Sequence, residues 1–228
     1  MIQLKTISGN AASKSSVPAL VRWVRTYRPD RIVITEAYRL GPWLEENLPG
    51  YERIQYGKTH GAEAPDVAVL ARRETVDVQR RRLRKMTMPW WGPFTLRKRK
   101  ARRLVVVVFV KYGVVIPTLG GHFPSGGASG GTRTRGRNKD AWMECATAVK
   151  RWMKRRPLAI ATCDFNDNGH AVRNHCAPKG ATWRKHSNVD GDLSKGCAAV
   201  HVRQLDDPDG MHGWAITTHT INEENHTP

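Results

Sequence analysis

Apolar and β-branched residues fall in short runs along the chain, and most of these runs end on a polar residue able to do chemistry. The run Ile2 to Ser8 predicts a strand leading into Asn10, and Arg31 to Thr35 (RIVIT) predicts one that delivers Glu36. Val114 to Thr118 leads through the pair Gly120-Gly121 to His122, Leu158 to Thr162 delivers Asp164 and Asn166, and Trp214 to Thr217 leads to His219. Helical spacing fits between them. Ser16 to Tyr27 has apolar residues at that spacing with a stop at Arg28-Pro29, and Asp140 to Arg155 places Trp142, Cys145, Ala146, Val149 and Trp152 on one face. Lys111-Tyr112-Gly113, between two valine-rich runs, predicts a hairpin turn and so an antiparallel pair. The pattern predicts an α/β protein with a mixed sheet or a pair of sheets, and five strand ends that present polar groups where loops assemble sites.

Size and charge narrow the reading. A length of 228 residues suits a single domain over residues 1–228. Lys plus Arg number 38 against 20 for Asp plus Glu, a formal charge of +18, and a field of that sign attracts polyanions. Nucleic acid is the expected partner and an anionic membrane surface the lesser one. The longest apolar run, Leu104 to Val110, is too short to span a bilayer, and MIQLKTISGN has no apolar h-region. The expectation is a soluble, cytoplasmic or otherwise intracellular protein without a signal peptide. Cys145, Cys163, Cys176 and Cys197 form no CxxC and suit a reducing compartment, and no disulfide is expected.

Two segments interrupt the alternation. Residues 79–103 hold eleven Lys or Arg, among them Arg80, Arg81, Arg82, Arg84, Lys85, Arg97, Lys98, Arg99 and Lys100, interleaved with Trp90, Trp91 and Phe94. Cations neutralise phosphates and aromatic faces stack on bases, so this basic aromatic insertion is the strongest nucleic-acid signal in the chain. The plainer alternative is tryptophans in a core with a solvated charged flank. Residues 124–139 are Gly-rich and then basic (Arg133, Arg135, Arg137), a loop after His122 that either closes over a substrate or simply connects. His170, His175, Cys176 and Cys197 fit no zinc spacing, and no GKS or GKT follows the Gly runs, which argues against a P-loop.

The order of these polar residues resembles the endonuclease/exonuclease/phosphatase superfamily over nearly the whole chain. LKTISGN (residues 4–10) matches the opening strand ending in Asn, VITEAY the strand with a metal-binding Glu, and VAVLARR the strand that follows. VVIPTLGGHFPSGG resembles the strand ending in a catalytic His, ATCDFNDN is close to a GDFN motif with Cys163 in place of Gly, and NVDGDLSKG resembles a late Asp segment. The family ends on Ser-Asp-His, to which Thr217, Thr218 and His219 correspond here, so the Asp is missing. Three consequences stand open: reduced activity, substitution by Asp192, Asp206, Asp207 or Asp209, or binding without cutting.

The resemblance implies two packed mixed β-sheets flanked by helices, a four-layer α/β sandwich, and a Mg²⁺-dependent phosphodiester hydrolase, most of all a nuclease acting on DNA or RNA. Asn10 and Glu36 would hold Mg²⁺, with Mn²⁺ also accommodated. Asp164 would orient or deprotonate the attacking water, Asn166 would hold a phosphoryl oxygen, Asp190 would support them, and His122 and His219 would contact the phosphate. The alternatives are a phosphatase or phosphodiesterase of the same fold on a small phosphorylated substrate, and a non-catalytic nucleic-acid-binding protein.

Overall fold

The computed structural model describes residues 1–11, 16–37, 40–58, 65–88, 99–124, 137–187, 190–206 and 213–223. In chain order the elements are β1 (Ile2–Asn10), α1 (Ser16–Tyr27), β2 (Arg31–Thr35), α2 (Gly41–Asn47), β3 (Tyr51–Lys58), β4 (Pro65–Arg72), β5 (Asp77–Met88), β6 (Arg99–Lys111), β7 (Val114–His122), α3 (Arg137–Lys154), β8 (Ala159–Asp164), α4 (Gly169–His175), β9 (Ala181–Lys185), β10 (Asp190–Lys195), β11 (Ala199–Leu205) and β12 (Trp214–Ile221). They form two six-stranded sheets, ordered β11-β12-β1-β2-β4-β3 and β5-β6-β7-β8-β10-β9.

Each sheet contains one parallel pair, β1 with β2 and β7 with β8, and the other pairings are antiparallel. A parallel pair needs a crossover, and here α1 and α3 supply it. Val105, Val107, Phe109, Val114 and Ile116 of one sheet meet Leu4, Val33, Val67 and Val69 of the other in an apolar cluster. On the outer faces, Leu20, Trp23, Val24 and Leu44 cover the first sheet, and Trp142, Cys145, Val149 and Met153 cover the second. Helix, sheet, sheet and helix give the four layers.

Local chemistry explains the turns that matter. α1 stops where Arg28 takes a left-handed φ of 47° ahead of Pro29, a residue that disfavours a helical predecessor. Tyr112 (φ 50°) and Gly113 (φ 80°) make the two-residue connection between β6 and β7, as the Lys-Tyr-Gly signal anticipates. Gly9 is required for contact: a Cβ there would stand 2.2 Å from the indole of Trp214, which packs against Trp23 at 5.6 Å between ring centroids.

Two differences from the sequence reading bear on function. Residues 77–88 and 99–103 belong to the regular strands β5 and β6, so this part of the basic segment lies within the sheet. β12 continues past Thr217 to Ile221, because its residues pair with both β1 and β11, Thr218 facing Lys5 and His201, and His219 facing Leu4 and Val200. His219 and Thr218 are therefore mid-strand residues, not the end of a strand.

Candidate active site

The carboxyl ends of both parallel strand pairs open at one edge of the sandwich. That edge is where an α/β sheet leaves a crevice between diverging connections. β1 brings Asn10, β2 leads directly to Glu36, β7 ends on His122 and β8 on Asp164; β10, running the other way, starts there with Asp190 opposite Asp164. Asn10 Nδ2 donates to Asp164 Oδ2 at 3.3 Å. His122 Nε2 stands 3.7 Å from Asp164 Oδ2 and 3.9 Å from Glu36 Oε1. Six residues distant in sequence thus converge as their strand ends suggest: Asn10, Glu36, His122, Asp164, Asn166 and Asp190.

The frame holding them is stiff. Phe123 N donates to Asp164 O at 2.9 Å, Asn166 Nδ2 donates to Phe123 O at 2.9 Å, and Asn166 N donates to Asp164 Oδ1 at 2.9 Å. Phe123 and Phe165, each the neighbour of a site residue, pack at 4.9 Å, and Trp142 of α3 donates its indole N–H to Phe165 O at 2.6 Å. Glu36 and Asn166 both adopt left-handed backbone, φ 52° and 50°, a conformation that costs free energy in residues with a Cβ and collects at functional sites.

The electrostatics are crowded with negative charge. Burial raises the Asp164 carboxyl to about 7, with Asp190 adding to the rise, against the pull of His122 and of hydrogen bonds from Asn166 and Asn10. Burial also raises Asp190, against Ser187, His186 and His122, while Glu36 adds to the rise. Three acids face one another with one imidazole in contact, and a hard cation relieves such crowding. Among the described residues no three His, Cys, Asp or Glu side chains form a ready-made metal shell. Mg²⁺ keeps most of its water and needs only one or two protein carboxylates, so Glu36 with Asn10 fits that ion better than it would fit zinc.

His219 does not reach this edge. It is fully buried, and burial pushes it down to about 4, partly offset by Asp192 at 3.8 Å. The match of Thr217, Thr218 and His219 to a closing Ser-Asp-His therefore brings no histidine to the site. The pairing of Ser8 with Ala215 runs β12 so that its first residues, near Gly213, lie at the site's edge. In sequence His212 stands directly ahead of Gly213, preceded by Gly210 and Met211; residues 207–212 lie outside the described residues.

The basic segment is placed in part. Arg80, Arg81, Arg82 and Arg84 are exposed on β5, the free edge of its sheet, and Arg81 pairs with Glu52. β6 continues beyond the last residue of its pairing with β7, Gly121, and there pairs with β5 alone as far as Arg99 with Met88. Lys85, Arg99 and Lys100 occupy that two-stranded extension, next to the edge that carries His122. Arg137 opens α3. Trp90, Trp91, Phe94, Arg97, Lys98, Arg133 and Arg135 lie outside the described residues.

Solved structures share this architecture. The endonuclease/exonuclease/phosphatase from Bacteroides vulgatus superposes with a TM-score of 0.73 at 13% identity, over 97% of this chain and 100% of that one. D. rerio TDP2, in complex with a single-strand DNA product, superposes with a TM-score of 0.67 at 13% identity, over 96% and 99%. A mannosyl-6-phosphatase of Bacteroides thetaiotaomicron does so with a TM-score of 0.65 at 17% identity, over 94% and 98%. No family model and no curated protein matches the sequence. The chain has the endonuclease/exonuclease/phosphatase fold. Among the described residues no helix is long and apolar enough to cross a membrane.

Proposed function

We propose that the protein is a Mg²⁺-dependent phosphodiester hydrolase whose substrate is a nucleic-acid backbone. One observation carries the reading: Asn10, Glu36, His122, Asp164 and Asp190 meet at the shared carboxyl edge of both parallel strand pairs. Hydrolysis of a phosphodiester needs an activated water, neutralised phosphoryl oxygens and a stabilised leaving oxygen. Asp164, raised to about 7, is a base that works near neutral pH and takes the proton of the attacking water. His122, between Asp164 and Glu36, donates to the phosphoryl group. Asn166, fixed by Phe123, presents its second amide N–H to a phosphoryl oxygen, and Asp190, second to burial, helps keep Asp164 in its proton-binding range. Mg²⁺ bound by Glu36 and Asn10 would supply Lewis-acid neutralisation of the phosphate, and Mn²⁺ would do the same.

Nucleic acid is favoured by the cationic edge. Arg80, Arg82 and Arg84 project from a strand whose extension runs past the site, a row suited to successive phosphates. A solved protein of this fold is seen with a single-strand DNA product. A second reading, a phosphatase for a small phosphorylated sugar, has support in the mannosyl-6-phosphatase of the same fold. The two separate in one experiment. Purified protein is incubated with duplex DNA, single-stranded DNA, RNA, mannose 6-phosphate and p-nitrophenyl phosphate, in Mg²⁺, Mn²⁺ or excess EDTA. Metal-dependent cleavage of a polynucleotide supports the first reading, and phosphate release from the small esters alone supports the second.

A further inference from the structure

A buried polar layer lies one pleat beneath the site. Residues two apart on a strand share a face, so Ser8 stands under Asn10, Thr162 under Asp164 and Asp192 under Asp190. His186 joins this layer from the end of β9. Its Nε2 is 2.9 Å from both Asp192 Oδ2 and Thr217 Oγ1, and its Nδ1 is 3.0 Å from Ser8 Oγ. Thr162 donates to Asp192 and accepts from Arg31, whose Nε donates to Thr6 at 3.3 Å. His186, Asp192 and Arg31 are each at most 1% exposed. His186 and Asp192 hold the second sheet's strands β9 and β10, while Ser8 and Thr217 belong to β1 and β12 of the first. The ring therefore ties together the two sheets that each carry one part of the site.

The same residue governs a turn. His186 N donates to Asp190 O at 2.9 Å and Ser187 N to the same oxygen at 3.3 Å. Ser187 Oγ donates to Asp190 Oδ2 at 2.5 Å and accepts from Asp190 N at 3.2 Å. Where His186 is fixed, Ser187 is fixed, and through it the carboxylate that faces Asp164. Replacing a buried ionic cluster by apolar residues of the same volume is often neutral or stabilising, so stability alone is a poor reason for this layer, and placement of the groups above it is a better one.

We propose that His186 is a positioning residue for hydrolysis, setting the Asp190 carboxylate through Ser187 and the Asn10 strand through Ser8. The proposal rests on the hydrolase reading. The test compares wild type with His186→Ala, His186→Gln and Ser187→Ala on DNA in Mg²⁺, with a thermal melt of each. Misplacement by about 1 Å costs on the order of 10²-fold in rate, so kcat falls by about that factor in His186→Ala while KM stays within about twofold. His186→Gln, which keeps a donor and an acceptor, recovers part of the loss, and Ser187→Ala lowers kcat in the same direction. Unchanged kcat in a folded His186→Ala, or a raised KM with kcat intact, overturns the proposal. If His186→Ala does not fold, Ser187→Ala decides, since it cuts only the link to Asp190. Wild type without turnover on any substrate overturns the hydrolase reading and this proposal with it; turnover by wild type and by all variants alike overturns this proposal alone.

Discussion

Replacing Asp164 by Asn is expected to stabilise the metal-free protein while abolishing turnover. The carboxyl is 3% exposed and raised by burial, then by Asp190, from 3.8 to about 7. A rise of about three units corresponds to roughly 4 kcal/mol of destabilisation once the group is ionised in the folded state. An amide carries no charge to desolvate. One acceptor must remain, because Asn166 N donates to Oδ1, so the new NH₂ faces Asn10 Nδ2 across the present 3.3 Å contact. That donor pair costs about 1–2 kcal/mol. The net gain is about 2 kcal/mol, equivalent to roughly 4–8 °C in Tm for a chain of this size. The pH dependence has a definite sign. Between 3.8 and about 7 the folded wild type binds a proton that the unfolded chain does not, so its stability falls as pH rises through that window. The difference between Asp164→Asn and wild type therefore runs from a deficit of about 1–2 kcal/mol at pH 4, where only the donor pair counts, to a gain of about 2 kcal/mol by pH 8. Urea or thermal unfolding in EDTA across that range measures it. A variant less stable than wild type at pH 8, or a difference that does not change with pH, refutes the reasoning.

Three further outcomes are expected. Arg80→Ala, Arg82→Ala and Arg84→Ala combined raise KM for polynucleotides and flatten the dependence of log affinity on log salt by about 2–3, the slope lost with three phosphate contacts; binding isotherms at several salt concentrations read this, and an unchanged slope removes β5 from the interface. His219→Leu leaves turnover within about twofold, since a buried imidazole away from the site touches no substrate; it also removes the loss of stability that wild type suffers as pH falls from about 6.5 towards 4, where the unfolded chain protonates this residue first. Gly9→Ala drives a Cβ into Trp214 and costs about 1–3 kcal/mol by overpacking, measured by unfolding; stability equal to wild type would show that Trp214 moves freely.

The strand ends were legible because each joins a short apolar or β-branched run to a polar residue able to do chemistry, as RIVIT does before Glu36 and the run ending in Gly120-Gly121 does before His122. α1 was legible to the residue, since its apolar spacing ends at Arg28-Pro29. The last motif was misplaced for a physical reason. ITTHTI alternates as well in one register as in another, and only pairing with β1 and β11 decides where a strand stops. Half-exposed β9 and β11, with burial patterns ieiee and iieieeB, carry no periodic apolar signal. The layer of Arg31, Thr162, His186 and Asp192 was illegible because a buried charge is recognised only by its partners, which lie up to 178 residues away in sequence. The left-handed backbone of Glu36 likewise has no signature in residue type.

The central claim, metal-dependent hydrolysis of a phosphodiester at the carboxyl edge of the two parallel strand pairs, is tested most directly by following cleavage of an end-labelled oligonucleotide by wild type, His122→Ala and Asp164→Asn in Mg²⁺ and in EDTA. Expected is cleavage by wild type in Mg²⁺ only, and a loss of at least about 10²-fold in each variant, the usual worth of a general acid or base. Cleavage that persists in EDTA, or that survives both substitutions, would contradict it.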